Sequence, residues 1–145
     1  MLKTDNFGDG EKLLQLRSYA LIDRLSADGV PLILPAPAMA EVLGGNPGDL
    51  GMEGVVDFML QRFQVEALDA RALVRFPEYF ARAMTQRKTG RNCVRTDALI
   101  AAVAAAADCS AIYTRDVHDF SLIINGDIIV QEPPADAVNQ ELFND

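Results

Sequence analysis

Four short apolar segments, each separated from the next by a stretch with helical periodicity, limit the possible folds of this chain most strongly. Residues 32–34 lie between prolines, residues 63–68 alternate in polarity, and residues 111–114 and 128–131 are short apolar runs. Each segment is too short for a stable helix and is typical of a buried strand. Strands that alternate with helices predict a parallel sheet with helices on both faces, which is the α/β class.

The stretches between and around these strands predict helices. Their expected ranges are 11–28, 38–43, 52–62, 69–84, 96–107 and 117–123. The fifth is apolar on every side after Asp97, so it should be packed all round. A chain of 145 residues is expected to form one domain, with an N-terminal loop at residues 1–10 and a C-terminal tail at residues 133–145.

Composition excludes several protein classes. The longest apolar run, residues 98–107, is far shorter than the roughly 20 residues that a membrane helix needs. The first residues contain no apolar segment typical of a secretory signal. Two cysteines are too few for a disulfide framework. We therefore expect a cytoplasmic protein without a membrane anchor.

The charge distribution is uneven. The chain carries 13 basic and 21 acidic residues, a net charge of −8, which argues against nonspecific coating of nucleic acid. Residues 82–95 nevertheless contain five basic residues and no acid. They are Arg82, Arg87, Lys88, Arg91 and Arg95. This basic strip is either a phosphate-binding surface or an ordinary solvated loop.

Acidic residues follow two of the predicted strands and open the apolar fifth helix. Glu41 lies on the helix after residues 32–34, Asp97 begins the fifth helix, and Asp116 and Asp119 follow residues 111–114. Sites in parallel sheets form beyond the carboxyl ends of the strands. Carboxylates gathered there repel one another unless a cation balances them, and Mg²⁺ and Mn²⁺ prefer carboxylate oxygens. Such a site suits phosphodiester hydrolysis.

Each acid also has a purely structural explanation. Asp97 can cap its helix, Asp116 can be a turn residue, and Glu41 and Asp119 can face solvent. His118 is expected at the surface, and the two cysteines are expected to be plain thiols.

Several segments resemble the PIN domain family. Residues 94–102 and 111–120 resemble its basic-x-Asp-Ala-x-Ile-x-Ala helix and the following strand that ends Thr-x-Asp-x-Asp-Phe. Residues 32–43 resemble its second strand and the helix that carries its second acid, and residues 63–72 resemble its third strand and next helix. The resemblance covers about residues 11–131. Many such domains are VapC-like toxins of bacterial toxin–antitoxin pairs.

The resemblance implies a three-layer α/β/α fold and a Mg²⁺- or Mn²⁺-dependent endoribonuclease. In that family's pattern Asp97 would be a metal ligand, and Glu41 and Asp116 would share the metal site. Asp119 would be an outer acid, and Thr114 would hydrogen-bond near the carboxylates or the attacking water. These five residues form the predicted catalytic set.

The resemblance also implies partners. Arg91 and Arg95 would hold RNA phosphate. An antitoxin protein is expected, and an arginine from it could pair with the carboxylates and block the site. Homodimers are common in the family.

One departure from the family pattern concerns the first strand. In the family an apolar central strand ends Asp-Thr/Ser-Asn/Ser, and its Asp is a principal metal ligand. Here Met1 and Leu2 are followed at once by Lys3, so residues 1–10 are interpreted as the loop that follows that strand. We therefore expect a sheet without its middle strand and a site without its first acid. An inactive RNA- or protein-binding module stays an alternative, and a hydrolase or phosphotransferase with Asp116 as nucleophile is a weaker one.

Overall fold

The four predicted strands form in the computed structural model, which describes residues 9–86 and 90–135. Their bounds are Ile33–Pro35 (β1), Gln64–Glu66 (β2), Ala111–Tyr113 (β3) and Ile129–Gln131 (β4). Each strand lies within or overlaps its predicted segment. Each strand is only three residues long, and Pro35 is the last residue of β1.

The helices alternate with these strands as predicted. Their bounds are Asp9–Ala27 (α1), Ala36–Leu43 (α2), Gly51–Arg62 (α3), Ala70–Gln86 (α4), Arg91–Ala106 (α5) and Val117–Ile124 (α6), with a 3-10 turn at Gly48–Leu50. The protein is therefore a mixed α/β fold. None of the helices in the described ranges is long and apolar enough to cross a membrane.

The sheet is divided. β1 pairs with β2 and β3 pairs with β4, both in parallel, but no hydrogen-bonded ladder joins the two pairs within the described ranges. The prediction of parallel pairing is confirmed. The single sheet implied by the strand–helix alternation is instead two half-sheets within the described ranges.

Helix α4 begins where the sequence predicts. The Ala72 amide donates a 3.1 Å hydrogen bond to Asp69 Oδ1, which satisfies one of the free amides of the first turn. This bond and the neighbouring Arg71 guanidinium lower the pKa of Asp69, although desolvation opposes them. The Asp69 cap thus fixes the start of the helix that carries much of the core.

The predicted start of helix α5 is wrong. Thr96 and Asp97 do not open it, because the helix begins at Arg91 and the preceding connection is correspondingly short. The physical reason is Val94, which is fully buried and is held by packing against the core rather than by a side-chain cap. Asp97 therefore lies beyond the first turn, so helix capping does not explain its presence there.

The main core lies between α4, α5 and α6. Helix α5 buries small residues on all sides, as predicted, and Ala98, Ala101 and Ala102 are completely inaccessible. From α6, Ile123 and Ile124 fill the same cluster, which also receives Ile112 of β3 and Val130 of β4 at its margin. Small residues on α5 allow α4 to approach it closely.

Helix α1 is separate from that core. Among the described side chains of this helix, only Ala20 and Leu21 are buried, and they form a small cluster with Leu25. Leu16 is 57% exposed, and Tyr19 makes an edge-to-face contact with Phe58 of α3. Residues 9 and 10 already belong to α1, so the predicted N-terminal loop at residues 1–10 is too long; residues 1–8 lie outside the described ranges.

The expected C-terminal tail is described only in part. Residues 133–135 are non-helical, and residues 136–145 lie outside the described ranges. Helix α6 is followed by Asn125, which adopts a left-handed conformation with φ of 53°. Gly126 follows with φ of 91°, and this pair makes the turn into β4.

Candidate functional site

The predicted acids lie beyond the carboxyl ends of strands. Helix α2 begins directly after β1 and carries Glu41, while Asp116 follows β3 by three residues. Asp119 lies in the first turn of α6. Since β1 and β3 each run parallel to their partners, these acids occupy the ends of the half-sheets at which α/β proteins form their sites.

Glu41 lines an open and largely apolar groove between α2 and α5. The groove is lined by Ala36, Pro37, Ala40, Glu41, Leu68, Thr96 and Leu99. Helices α2 and α5 are in contact there, and the Glu41 side chain is exposed. The fold thus brings Glu41 to the same groove as Thr96, the immediate neighbour of Asp97, although 55 positions separate Glu41 from Thr96 in the sequence.

Several lining residues were not predicted from the sequence. Leu68 lies between β2 and α4, while Ala40 and Leu99 face the groove from the two helices. Nothing in the local pattern distinguishes these apolar residues from core residues. Only the position of Leu68 at the end of a predicted strand indicated that it could lie near a site.

Asp97 is half-buried within α5. Its neighbour Ala98 is completely buried, and both Thr96 and Asp97 make interactions within the folded chain. A carboxylate at the margin of an apolar core is costly unless its oxygens have partners. Its position beyond the first turn of α5 excludes a capping role.

Thr114 shapes the turn after β3. The Asp116 amide donates a 3.1 Å hydrogen bond to Thr114 Oγ1, and the Thr114 amide donates to the Gln131 carbonyl of β4 at 3.0 Å. Thr114 therefore anchors the Asp116 backbone to the half-sheet. Asp116 itself is exposed, and Asp119 is half-buried and has a partner.

The acids do not form one cluster in the described parts of the chain. Across residues 9–86 and 90–135, no three Asp, Glu, His or Cys side chains are grouped so that they could hold a metal ion. Glu41 lies on α2 and Asp97 on α5, whereas Asp116 follows β3 and Asp119 lies on α6. This arrangement does not by itself fit a three-carboxylate site, and the predicted metal ligands stay a prediction.

The basic strip divides into structural and exposed residues. Arg82 Nη1 donates a 3.0 Å hydrogen bond to the Ile123 carbonyl, and its guanidinium also pairs with Glu78 on the same helix. Arg82 therefore holds α4 against α6. Arg95 is exposed on α5, and Arg91 begins that helix.

The remaining basic residues of the strip, Arg87 and Lys88, lie outside the described ranges. His118 is exposed, as predicted. Both cysteines are free. Burial raises the pKa of the Cys109 thiol, and the nearby Glu66 and Asp108 carboxylates add to the effect. A raised pKa leaves little thiolate at neutral pH, as expected of an unreactive thiol.

Comparison with known proteins gives one informative result. No protein-family model matches the sequence, and no curated protein matches it. Among solved structures, the chain is similar to one in the crystal structure of VapBC2 from Rickettsia felis bound to a DNA fragment from their promoter. The TM-score is 0.59 at 17% identity, over 82% of this chain and 94% of that chain. The similarity shows a shared α/β fold.

Proposed function

We propose that this chain is a VapC-like ribonuclease domain of the PIN type that hydrolyses RNA phosphodiester bonds with Mg²⁺ or Mn²⁺, and that it is the toxin of a toxin–antitoxin pair. The shared fold with a chain of the VapBC2 complex supports the type of domain. The proposal assigns the chemistry to carboxylates beyond the strand ends.

The observation that carries the proposal is the meeting of α2 and α5 at one groove. Glu41 and Thr96 both line it, and Asp97 follows Thr96 inside α5. Two helices that each carry a proposed acid thus meet at an open surface that a polymer can reach. An open groove beside titratable residues from different parts of the chain is a reasonable place to propose an active site.

The proposed roles follow from residue type and position. Asp97, Glu41 and Asp116 are the proposed cation ligands, and Asp119 is an outer acid. A divalent cation would polarise a phosphoryl oxygen and lower the pKa of a bound water. Thr114 contributes by fixing the turn that carries Asp116.

The proposed substrate contacts lie on the first turns of α5. Arg95 is exposed two residues before Asp97, and Arg91 is one turn earlier on the same helix. Arginines in these positions suit contacts to phosphate oxygens, which position a nucleic acid without reading its sequence. The proposed protein partner is an antitoxin, and we infer that it covers the exposed carboxylates.

The second candidate is a catalytically inactive binding module. It is favoured by one observation, the absence of a three-carboxylate group among residues 9–86 and 90–135. Such a module would bind RNA or a protein partner but would leave phosphodiester bonds intact.

Metal dependence tests the proposal. We expect the full chain to cleave RNA with Mn²⁺, and removal of the metal with EDTA to slow cleavage at least ~100-fold, because a cation that polarises the phosphoryl group supplies several kcal/mol. The measurement is the rate of cleavage of a labelled RNA, with re-addition of Mn²⁺ as the control. RNA binding without cleavage under any metal would favour the inactive module, and equal cleavage with and without EDTA would contradict the proposal.

A further inference from the structure

The groove between α2 and α5 is apolar over most of its surface. Its volume is about 560 Å³, which lies in the range of roughly 300–1,000 Å³ typical of sites for small organic ligands. Only two of the described residues that line it are polar, Glu41 and Thr96. The other lining residues are Ala36, Pro37, Ala40, Leu68 and Leu99. A site with such a lining holds a ligand chiefly through apolar contact.

The charge of the groove determines which part of an RNA chain it can hold. The described lining residues include no lysine or arginine, and Glu41 contributes a carboxylate. A phosphate is bound by cationic side chains and N–H donors, and a carboxylate repels it. A nucleobase is neutral and has two flat faces that can cover apolar side chains. The apolar part of the groove therefore fits a base rather than a phosphate.

A cation for a phosphate lies directly beside this apolar surface. Arg95 is exposed, and it immediately precedes Thr96, which lines the groove. The Cα atoms of consecutive residues are ~3.8 Å apart, so Arg95 belongs to the rim of the groove. Proteins that bind single strands combine surfaces for base faces with cations that follow the backbone. The groove and Arg95 together offer this combination.

On the basis of the proposed function, we propose that the groove is a base-binding subsite, in which one unpaired nucleobase of the RNA lies against Pro37, Leu68 and Leu99. Arg95 contacts a phosphate next to that base. The small side chains of Ala36 and Ala40 leave room for the base. A purine covers more of the apolar surface than a pyrimidine does, so purines bind more tightly.

The roles of the two polar lining residues are compatible with this subsite. Base binding uses the apolar side chains and leaves the Glu41 carboxylate to its proposed role as a cation ligand. The base must be unpaired, because stacking covers the faces of the bases within a duplex. The subsite therefore selects the nucleotide that is held beside the proposed acids.

Binding of short RNA in the presence of EDTA tests the proposal without cleavage. The probes are fluorescein-labelled hexamers of adenylate and of uridylate, and an abasic hexamer with the same ribose–phosphate backbone. We expect the full chain to bind the adenylate hexamer about 10-fold more tightly than the abasic hexamer, with the uridylate hexamer between them. Fluorescence anisotropy measures the three affinities. Equal affinity for the adenylate and abasic hexamers would overturn the proposal.

Ala40→Leu fills the groove from an exposed position on α2, so it does not disturb the core. We expect this variant to lose the preference for adenylate and to bind the abasic hexamer as the unaltered chain does. The matched control is Ala81→Leu, at an exposed position on α4 outside the groove lining, and it should keep the full preference. An unchanged preference in Ala40→Leu, or equal losses in both variants, would place the base elsewhere.

Methyl NMR locates the base directly. The ring current of a base shifts the proton signals of methyl groups beneath its face upfield. The adenylate hexamer should therefore shift the methyl signals of Ala40, Leu68 and Leu99, whereas the abasic hexamer should not. Adenylate binding that leaves these methyl signals in place would overturn the proposal and would leave a protein partner as the occupant of the groove.

Failure of the subsite can be distinguished from failure of the proposed function. If the methyl signals shift but the chain cleaves no RNA with Mn²⁺, the base-binding subsite stands and the chain is an inactive binding module. If RNA is cleaved with Mn²⁺ while the chain shows neither the methyl shifts nor the preference for adenylate, the proposed function stands and the subsite is wrong.

Discussion

Asp97→Asn is expected to reduce Mn²⁺-dependent RNA cleavage by about 100- to 1,000-fold, the range typical for loss of one positioned electrostatic group in an active site. The substitution keeps the shape of the side chain but removes the negative charge that would bind a cation or accept a proton. Because Asp97 is half-buried in α5, solvent ions cannot readily replace its carboxylate. The measurement is the initial cleavage rate, with circular dichroism to confirm that the helices are intact.

The matched control is Asp127→Asn. Asp127 is exposed and precedes β4, so it lies at the opposite end of a half-sheet from the candidate site. The same change of charge at Asp127 should leave the cleavage rate within about twofold of the rate of the unaltered chain. Exposed charges far from the candidate site are screened by salt. Equal rates for Asp97→Asn and the unaltered chain would contradict the assignment of Asp97.

Ile123→Ala is expected to destabilise the fold by about 2–5 kcal/mol, because truncation of a fully buried aliphatic side chain leaves a cavity as well as losing its burial. Ile123 is completely inaccessible and belongs to the cluster formed by α4, α5 and α6. A loss of this size is a large fraction of the 5–15 kcal/mol typical of a domain. Urea denaturation at equilibrium measures it.

Ile129→Ala serves as the comparison for that experiment. Ile129 is 63% exposed on β4, and the same truncation there should cost less than about 0.5 kcal/mol beyond the change in strand propensity. A similar loss of stability in the two variants would show that Ile123 does not lie in the principal core.

Local patterns were sufficient to predict the order of the strands and helices but not all of their bounds. Prolines around residues 32–34 and the apolar face of residues 98–107 identify β1 and α5 because their physical causes are local. The start of α5 was missed because Val94 is held by tertiary burial, which a local pattern does not contain. The division of the sheet depends on pairing between strands that are distant in the sequence, which short local patterns do not encode.

The sequence predicted part of the candidate site and missed the rest. Positions of Glu41 and Asp116 beyond the strand ends follow from the alternation of strands and helices. The distance between these two acids could not be predicted, because it depends on how the two half-sheets lie across α5. Arg82 shows the same limit, since it looks like part of a basic strip and instead binds the carbonyl of Ile123, 41 residues away.

The most direct test of the account is the position at which Mn²⁺ binds. In an amide-resolved NMR titration of the full chain, a paramagnetic ion broadens the signals of nearby residues. We expect the amide signals of Glu41, Asp97 and Asp116 to broaden together at the same low Mn²⁺ concentration. In the Asp97→Asn variant, the amide signals of all three positions should stay sharp at that concentration. Broadening of one of the three alone, or of none, would contradict the convergence of these carboxylates on a single cation.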